Sequence, residues 1–216
     1  MDILVVAATA EEAKGINLKE IESSTPHQVE LLVTGVGMVA TTYSLAKKFN
    51  ERKFDLALNI GLAGSFHDNF KIGDTVNVAS DCFADIGAED DDKFLRLDEL
   101  GLADKNSFPF KDGKLTPVSP LISNVLNTLK KVNGITVNKV HGNERSIKLV
   151  KSIFNPDVES MEGAAFFYVC MMEKIPCLQI RSISNKVEKR NREAWNIPLA
   201  LKNLSNVVTQ FIEELK

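Results

Sequence analysis

Cysteine is scarce in this chain of 216 residues, which also has neither a long hydrophobic run nor an excess of basic residues. The three cysteines are an odd number without a CxxC spacing, which excludes a disulfide framework and favours reduced core thiols. Lysine and arginine number 26 against 29 acidic residues, so the formal charge is -3 and nucleic acid is not expected as a partner. No run approaches the roughly 18 apolar residues of a membrane span. We therefore expect a cytoplasmic protein that binds a small molecule and neither nucleic acid nor membrane.

Hydrophobic patterning predicts a single α/β domain over residues 1–216. Apolar runs typical of strands buried on both faces of a mainly parallel sheet occur at 3–8, 29–34, 56–60, 74–79, 135–140 and 177–183. Predicted helices fall between several of them, at 38–49, 120–132, 143–153, 161–172 and 198–215. This alternation predicts a central, twisted, mixed but mostly parallel sheet that is flanked by helices on both faces.

Residues 80–117 interrupt the alternation. The segment is rich in Asp, Gly, Lys and Pro, includes an acidic run at 89–92, and shows no clear period. A loop of this length in a compact domain is usually a functional lid, or it carries local structure that the pattern does not reveal. We expect a long loop or lid insertion here.

A carboxylate precedes an apolar helix in the stretch VESMEGAA at 158–165. The helix that follows is apolar on every side, so Glu162 should be buried. A buried carboxylate needs hydrogen-bond donors around it, either backbone N–H groups at a helix N-terminus or the hydroxyls of a ligand. The residues alone favour the two roles equally.

The same stretch resembles the signature of the nucleoside phosphorylase and nucleosidase superfamily, in which the matching Glu holds the 2′ and 3′ hydroxyls of ribose. Three further stretches match in the same order, AATAEE at 7–12, NIGLAG at 59–64 and RSISN at 181–185. The resemblance implies a nucleoside phosphorylase-like fold and a purine nucleoside substrate. It implies catalytic roles for Glu12, which activates water, and for Arg181 and Asn185. The substrate-binding residues that it implies are Glu162, Met161, Ala63, Gly64, Ser184 and Trp195.

Departures from the adenine-type pattern indicate the subfamily. Methylthioadenosine and S-adenosylhomocysteine nucleosidases have Asp at the position of Asn185. An amide can accept from a protonated N7 and donate to an exocyclic oxygen, which suits hypoxanthine better than adenine. The residues around and after this position, together with GAED at 87–90, are similar to those of futalosine hydrolases. That resemblance implies hydrolysis of futalosine to hypoxanthine and dehypoxanthine futalosine in menaquinone biosynthesis.

Two of the assigned side chains keep a structural alternative. Arg181 either orients Glu12 or the attacking water, or it forms a structural ion pair. Trp195 either stacks on the base or on the 5′ substituent, or it fills the core on the C-terminal helix. Leu62 stands where many adenine-type relatives have Ser, so one hydroxyl near the water is missing. The chemistry needs no cofactor, and the three histidines lack metal-ligand spacing, so no metal site is expected.

Competing functions remain open at this point. A purine nucleoside phosphorylase needs cations around its phosphate, yet Glu11 and Glu12 stand where phosphorylases of similar pattern carry Gly and Arg. A methylthioadenosine or S-adenosylhomocysteine type nucleosidase is a second alternative. A non-catalytic nucleoside-binding protein, which would have no use for Glu12, is a third.

Two further expectations concern a glycine motif and assembly. The stretch GVGMVA at 35–40 matches a dinucleotide-binding pattern, but it follows the second strand, so we interpret it as a tight turn from strand to helix.

Resembling proteins are commonly dimers or larger, with an aromatic residue of a neighbour completing the pocket. We expect a homo-oligomer, with Phe94, Phe108 and Phe110 as candidates for that aromatic residue.

Overall fold

A computed structural model of the chain describes residues 1–118, 121 and 123–215. Its strands are β1 Asp2–Ala7, β2 Gln28–Val33, β3 Leu56–Ser65, β4 Thr75–Ser80, β5 Gly87–Asp90, β6 Lys93–Arg96, β7 Phe110–Lys111, β8 Lys114–Leu115, β9 Lys130–Thr136, β10 Val158–Ser160 and β11 Cys177–Lys186. Its α-helices are α1 Ala10–Ala13, α2 Leu18–Ser24, α3 Met38–Glu51, α4 Asn124–Thr128, α5 Glu144–Phe154, α6 Gly163–Met172 and α7 Ile197–Glu214. A 3-10 turn spans Arg192–Ala194. None of the described helices combines the length and hydrophobicity needed to cross a bilayer.

Seven strands form one mixed sheet in the order β10-β9-β4-β11-β3-β1-β2. Five of its pairings are parallel: β1 with β2, β1 with β3, β11 with β3, β4 with β9 and β10 with β9. Strand β11 pairs antiparallel with β4, and β10 also pairs antiparallel with β3. The end of β3 therefore pairs with β10 on one side and with β11 on the other. The residues discussed below cluster at this end of β3. The mixed, mostly parallel sheet predicted from the sequence is confirmed.

Helices cover both faces of this sheet. In β1, Leu4 and Val6 are buried in a cluster with residues of α3 and α6. The alternate residues Ile3, Val5 and Ala7 are buried on the other face, in a cluster with residues of α7. Because successive strand residues point to opposite faces, an uninterrupted apolar run is what two covered faces require.

The helix predicted over 120–132 is wrong. Positions 120 and 122 lie outside the described residues, and the chain forms only the short helix α4 before β9 begins at Lys130. The side chain of Glu214 in α7 accepts hydrogen bonds from Ser123 Oγ and from the backbone N–H groups of Asn124 and Val125, which fixes the start of α4. Pairing of the next residues with β4 and β10 overrides the helical pattern, and the strand predicted over 135–140 ends at Thr136.

The segment at 80–117 carries local structure that its composition did not reveal. Strands β5 and β6 form one antiparallel hairpin, and β7 and β8 form another. The second hairpin is joined to the body of the domain by a bridge between Asp81 and Leu115. Its Phe110 ring packs against Phe83 and Tyr168. A lid function for this segment stays a prediction.

Candidate active site

Glu162 is buried beside the N-terminus of α6 and does not cap that helix. Its Oε1 accepts a hydrogen bond of 3.1 Å from the backbone N–H of Gly37. Its Oε2 lies 3.8 Å from Nη1 of Arg181. Glu162 therefore does not accept from the N–H groups of α6, but it does accept from the N–H group of the residue before α3, and a cation lies beside it. Its binding of ligand hydroxyls stays a prediction.

The turn that holds Glu162 is the glycine motif after β2. Gly35 and Gly37 have φ angles of 90° and 94°, a conformation that strains residues with a side chain. Gly37 is the residue before α3, so its N–H group is free to point out of the turn toward Glu162. The motif forms the tight turn expected from the sequence, and here its donor binds a carboxylate of the same chain.

Glu12 is fixed by the start of α1, directly after β1. Thr9 and Glu12 form a reciprocal capping box, in which Glu12 Oε2 accepts from the backbone N–H of Thr9 at 3.0 Å. The other oxygen, Oε1, accepts from the backbone N–H of Leu62 in β3 at 3.1 Å. These contacts hold the carboxylate in one orientation. They also show that Leu62, which lacks the hydroxyl of a Ser, contributes through its backbone.

Gly61 lies where Glu12 and Arg181 meet. A Cβ atom on Gly61 would be 2.2 Å from Nη1 of Arg181 and 2.6 Å from Oε1 of Glu12, so a side chain here would displace both groups. The same Nη1 faces Glu162, so the structure brings two carboxylates to one guanidinium. Nη1 is buried and makes no hydrogen bond within the described residues. It is therefore available to a water molecule or a ligand between the two acids.

The rest of the Arg181 guanidinium is held by a chain of buried amides. Its Nη2 donates to Oδ1 of Asn59, and its Nε donates to Oε1 of Gln179 at 2.9 Å. Gln179 in turn donates to Oδ2 of Asp81 at 3.1 Å. Gly163 makes room for this chain, since a Cβ there would lie 2.2 Å from both Asp81 and Gln179. Arg181 was predicted from the sequence, whereas the supporting roles of Asn59, Gln179 and Asp81 were not.

Burial sets the protonation of the acids in this network. It raises the pKa of Glu162, against the opposing effect of Arg181 and of the Gly37 N–H group, and the nearby charge of Glu12 raises it further. Burial likewise raises the pKa of Asp81 to about 6, although hydrogen bonds from Gln179 and Thr136 oppose the shift. Arg181 is therefore the positive charge that favours the ionised form of both buried carboxyl groups.

Asn185 and Ser184 stand at a bulge near the end of β11. The pairing of β11 with β3 shifts between Ile183 and Asn185, which re-aims the residues at this point. Asn185 Oδ1 accepts from the Ser184 hydroxyl at 2.8 Å, and its Nδ2 donates to the carbonyl of Lys186 at 2.8 Å. Gly64 allows this approach, because a Cβ there would lie 3.2 Å from Asn185 Nδ2. The amide is held, with hydrogen-bonding capacity left on both of its ends.

Asn185 and Trp195 line one small cavity of about 60 Å³ with His141 and Glu159. Trp195 follows the 3-10 turn, and the guanidinium of Arg190 lies 5.4 Å from its ring centroid. The alternative in which this indole fills the core on the C-terminal helix is therefore wrong. His141 and Glu159 were not among the residues predicted from the sequence, because their pairing across 18 positions leaves no local pattern.

The remaining predicted binding residues border the same region. Met161 is half-buried, and its backbone N–H is hydrogen-bonded to Glu162. Ala63 is buried, and its carbonyl lies 3.5 Å from the Ser184 hydroxyl. No group of three His, Cys, Asp or Glu side chains in the described part of the chain is placed to hold a metal ion. The three cysteines are free and buried.

Comparison with known proteins assigns the chain to a family. The model of the phosphorylase superfamily matches residues 18–213. The chain belongs to the phosphorylase superfamily. A relative named futalosine hydrolase from Thermus thermophilus is 26% identical over 186 residues, which cover 85% of this chain and 80% of that protein. The futalosine hydrolase of Streptomyces coelicolor is 28% identical over 193 residues, 85% of this chain and 78% of that protein.

Comparison with solved structures shows the same fold. The structure of futalosine hydrolase from Helicobacter pylori superposes with a TM-score of 0.80 at 17% identity, covering 100% of this chain and 98% of that one. The fold predicted from the four sequence stretches is therefore confirmed. Glu162, Arg181 and Asn185 fall inside the segment that matches the superfamily, and Glu12 precedes it.

Proposed function

We propose that this chain hydrolyses the N-ribosidic bond of futalosine and releases hypoxanthine and dehypoxanthine futalosine. The observation that carries the proposal is that Glu12 and Glu162 lie beside the same guanidinium nitrogen of Arg181. The two named relatives, both futalosine hydrolases, support the choice of substrate. The proposal includes menaquinone biosynthesis as the pathway, which the sequence resemblance implies. It also includes a cytoplasmic location, which the unpaired cysteines support.

In this reaction Glu12 is the general base. Its oxygens already accept from the N–H groups of Thr9 and Leu62, so the carboxylate is oriented before a water molecule arrives. It takes a proton from that water as the oxygen attacks C1′ of the ribose. The bond from C1′ to the purine breaks at the same time, and its electron pair leaves with the base.

Glu162 binds the 2′ and 3′ hydroxyls of the ribose. The sugar gains positive charge as the bond breaks, and a nearby carboxylate stabilises that charge more than it stabilises the neutral substrate. Arg181 favours the ionised form of Glu162 against the effect of burial, and its free Nη1 is placed to orient the attacking water. The backbone of Ala63 and Gly64 lies against the nucleoside, with Met161 beside it.

Asn185 holds the purine, with Ser184 fixing the amide and Trp195 covering the base or the 5′ substituent. We expect Asn185→Asp to shift preference from 6-oxopurines to 6-aminopurines by about tenfold or more, since one unsatisfied buried polar group costs about 1–3 kcal/mol. Initial rates with futalosine and with its 6-amino counterpart measure the ratio. Asn50→Asp makes the same change of charge at an exposed position and should leave it unchanged. An unaltered ratio in Asn185→Asp would refute this role.

Hydrolysis and phosphorolysis are separated by one experiment. The purified protein is incubated with futalosine, inosine and methylthioadenosine with and without inorganic phosphate, and the products are identified. We expect hypoxanthine and free sugar from futalosine without phosphate, because the carboxylates of Glu11 and Glu12 repel an anion at this place. Activity that needs phosphate and yields a sugar 1-phosphate would identify a phosphorylase. Preferential release of adenine would identify an adenine-type nucleosidase. No release of any base would identify a binding protein.

The proposal includes a homo-oligomer. An apolar strip at the start of α3 supports it, with Val36, Val39 and Tyr43 exposed by 56%, 82% and 71%. Phe108 is exposed, whereas Phe94 and Phe110 pack within their own chain, so Phe108 is the aromatic residue that we propose a neighbour supplies. Sedimentation velocity should give a dimer or larger species that Val39→Asp dissociates. A monomeric wild-type protein would contradict this part of the proposal.

A further inference from the structure

The end of strand β3 places a histidine and carboxylate pair next to Asn185. Gly64 of β3 is the register partner of Glu159 in β10 on one side and of Asn185 in β11 on the other. Glu159 and Asn185 thus flank Gly64, and their Cα atoms are separated by two strand spacings, about 10 Å. Both line the same small cavity, together with His141.

His141 is tied to Glu159 at two points. Its backbone N–H donates to Glu159 Oε1 at 2.9 Å, and its ring Nδ1 contacts Glu159 Oε2. The ring also meets Phe66 edge to face, with 6.4 Å between centroids. The other ring nitrogen, Nε2, has no hydrogen-bond partner within the described residues. The ring is therefore fixed with one nitrogen left for a ligand.

The proposed reaction lacks a proton donor for the purine. A 6-oxopurine leaves as an anion unless one of its ring nitrogens is protonated. The amide of Asn185 can accept or donate a hydrogen bond, but it cannot release a proton. A histidine can do so, because its imidazolium form carries an N–H proton that it can transfer, and a carboxylate on the other ring nitrogen orients the ring.

We propose that His141, oriented by Glu159, is the general acid that protonates the departing purine. This inference rests on the proposed function. The imidazolium Nε2–H passes its proton to purine N7 as the bond from C1′ to N9 breaks, so the base leaves neutral. The attacking water loses a proton to Glu12. His141 then regains a proton from solvent and Glu12 returns one, so the net reaction consumes one water molecule.

Four charged residues line the small cavity that His141 shares with Asn185. They are Glu159, Lys186, Glu188 and Arg190. Lys186 is engaged with the carbonyl of His67 and with Asp68, and Arg190 stacks on Trp195. His141 also lines a larger cavity of about 820 Å³, whose charged lining residues are Asp85, Glu89, Asp91, Asp92, Lys93, Lys139 and Arg145. Of these charged residues, all within the described part of the chain, Glu159 is the one that contacts the imidazole of His141.

The test compares His141→Gln with wild type on inosine and on 7-methylinosine. The purine of 7-methylinosine is already cationic and needs no proton. We expect kcat for inosine to fall by about 10²–10⁴-fold, the usual contribution of general acid catalysis, with KM little changed. The rate with 7-methylinosine should change far less, which also shows that the variant is folded.

Two controls make the outcomes distinct. His67→Gln removes a histidine of the same type, paired with Asp157 at 3.3 Å, that does not line the small cavity, and we expect no effect. Wild-type protein that releases purine from neither nucleoside nor from futalosine would overturn the proposed function itself. If wild type is active, equal losses on both nucleosides, or no loss, in His141→Gln would overturn the role of His141 alone.

Discussion

Replacing Glu12 with Gln should lower kcat by about 10²–10⁴-fold and leave the Kd for futalosine almost unchanged. The amide keeps the shape of the side chain, and its single oxygen can accept from the N–H group of either Thr9 or Leu62, but it cannot take a proton from water. Substrate contacts made through Glu162 and Asn185 are untouched. Single-turnover rates and equilibrium binding of futalosine measure the two quantities separately.

The neighbouring acid supplies a matched control for Glu12. Glu11 is exposed and pairs with Lys14 at 3.3 Å on the outside of α1. Glu11→Gln therefore makes the same chemical change one position away and should keep wild-type kcat. Near wild-type turnover in Glu12→Gln, or an equal loss in both variants, would show that Glu12 is not the base.

Arg181→Met should destabilise the protein by about 3–5 kcal/mol and abolish most activity. The substitution leaves a buried Glu162 without its cation and also removes donors to Asn59 and Gln179, and breaking one side of a buried ion pair has costs of this size. The pKa of Glu162, already raised by burial, should rise further. The folded variant then binds more protons than the unfolded chain, so its deficit relative to wild type should shrink as pH falls into the acidic range.

Urea unfolding at neutral and acidic pH tests this expectation. Arg145→Met provides the control, because Arg145 and its partner Asp92 are exposed and such pairs contribute at most about 1 kcal/mol. Adding Glu162→Gln to Arg181→Met should recover part of the lost stability at neutral pH, since the uncompensated charge is gone. A deficit that is small, independent of pH and unaffected by the second substitution would mean that Arg181 does not neutralise Glu162.

How far the sequence predicts this molecule depends on the range of the interactions involved. Runs such as 3–8 predict buried strands because burial on both faces leaves a local apolar pattern. Glu12 and Glu162 were found through short motifs that resemble a family. The first residues of β9, 130–132, were predicted as helix because their conformation is decided by pairing with a strand that is distant in sequence.

The same argument applies within the candidate site. Asp81, Gln179 and Asn59 support Arg181 through contacts that join three different strands or strand ends, and no spacing in the sequence announces them. Glu159 lies inside a motif that was recognised, but its partner His141 comes from the loop before α5. A histidine that is paired with one carboxylate 18 positions away has no metal-ligand spacing or other local pattern in the sequence.

A crystal structure of the Glu12→Gln variant with intact futalosine would test most directly whether both acids serve one sugar. We expect Glu162 within hydrogen-bond distance of the 2′ and 3′ hydroxyls, with the residue 12 side chain next to a water molecule that faces C1′. A ribose bound in a different crevice, or one that contacts only one of the two positions, would contradict the mechanism.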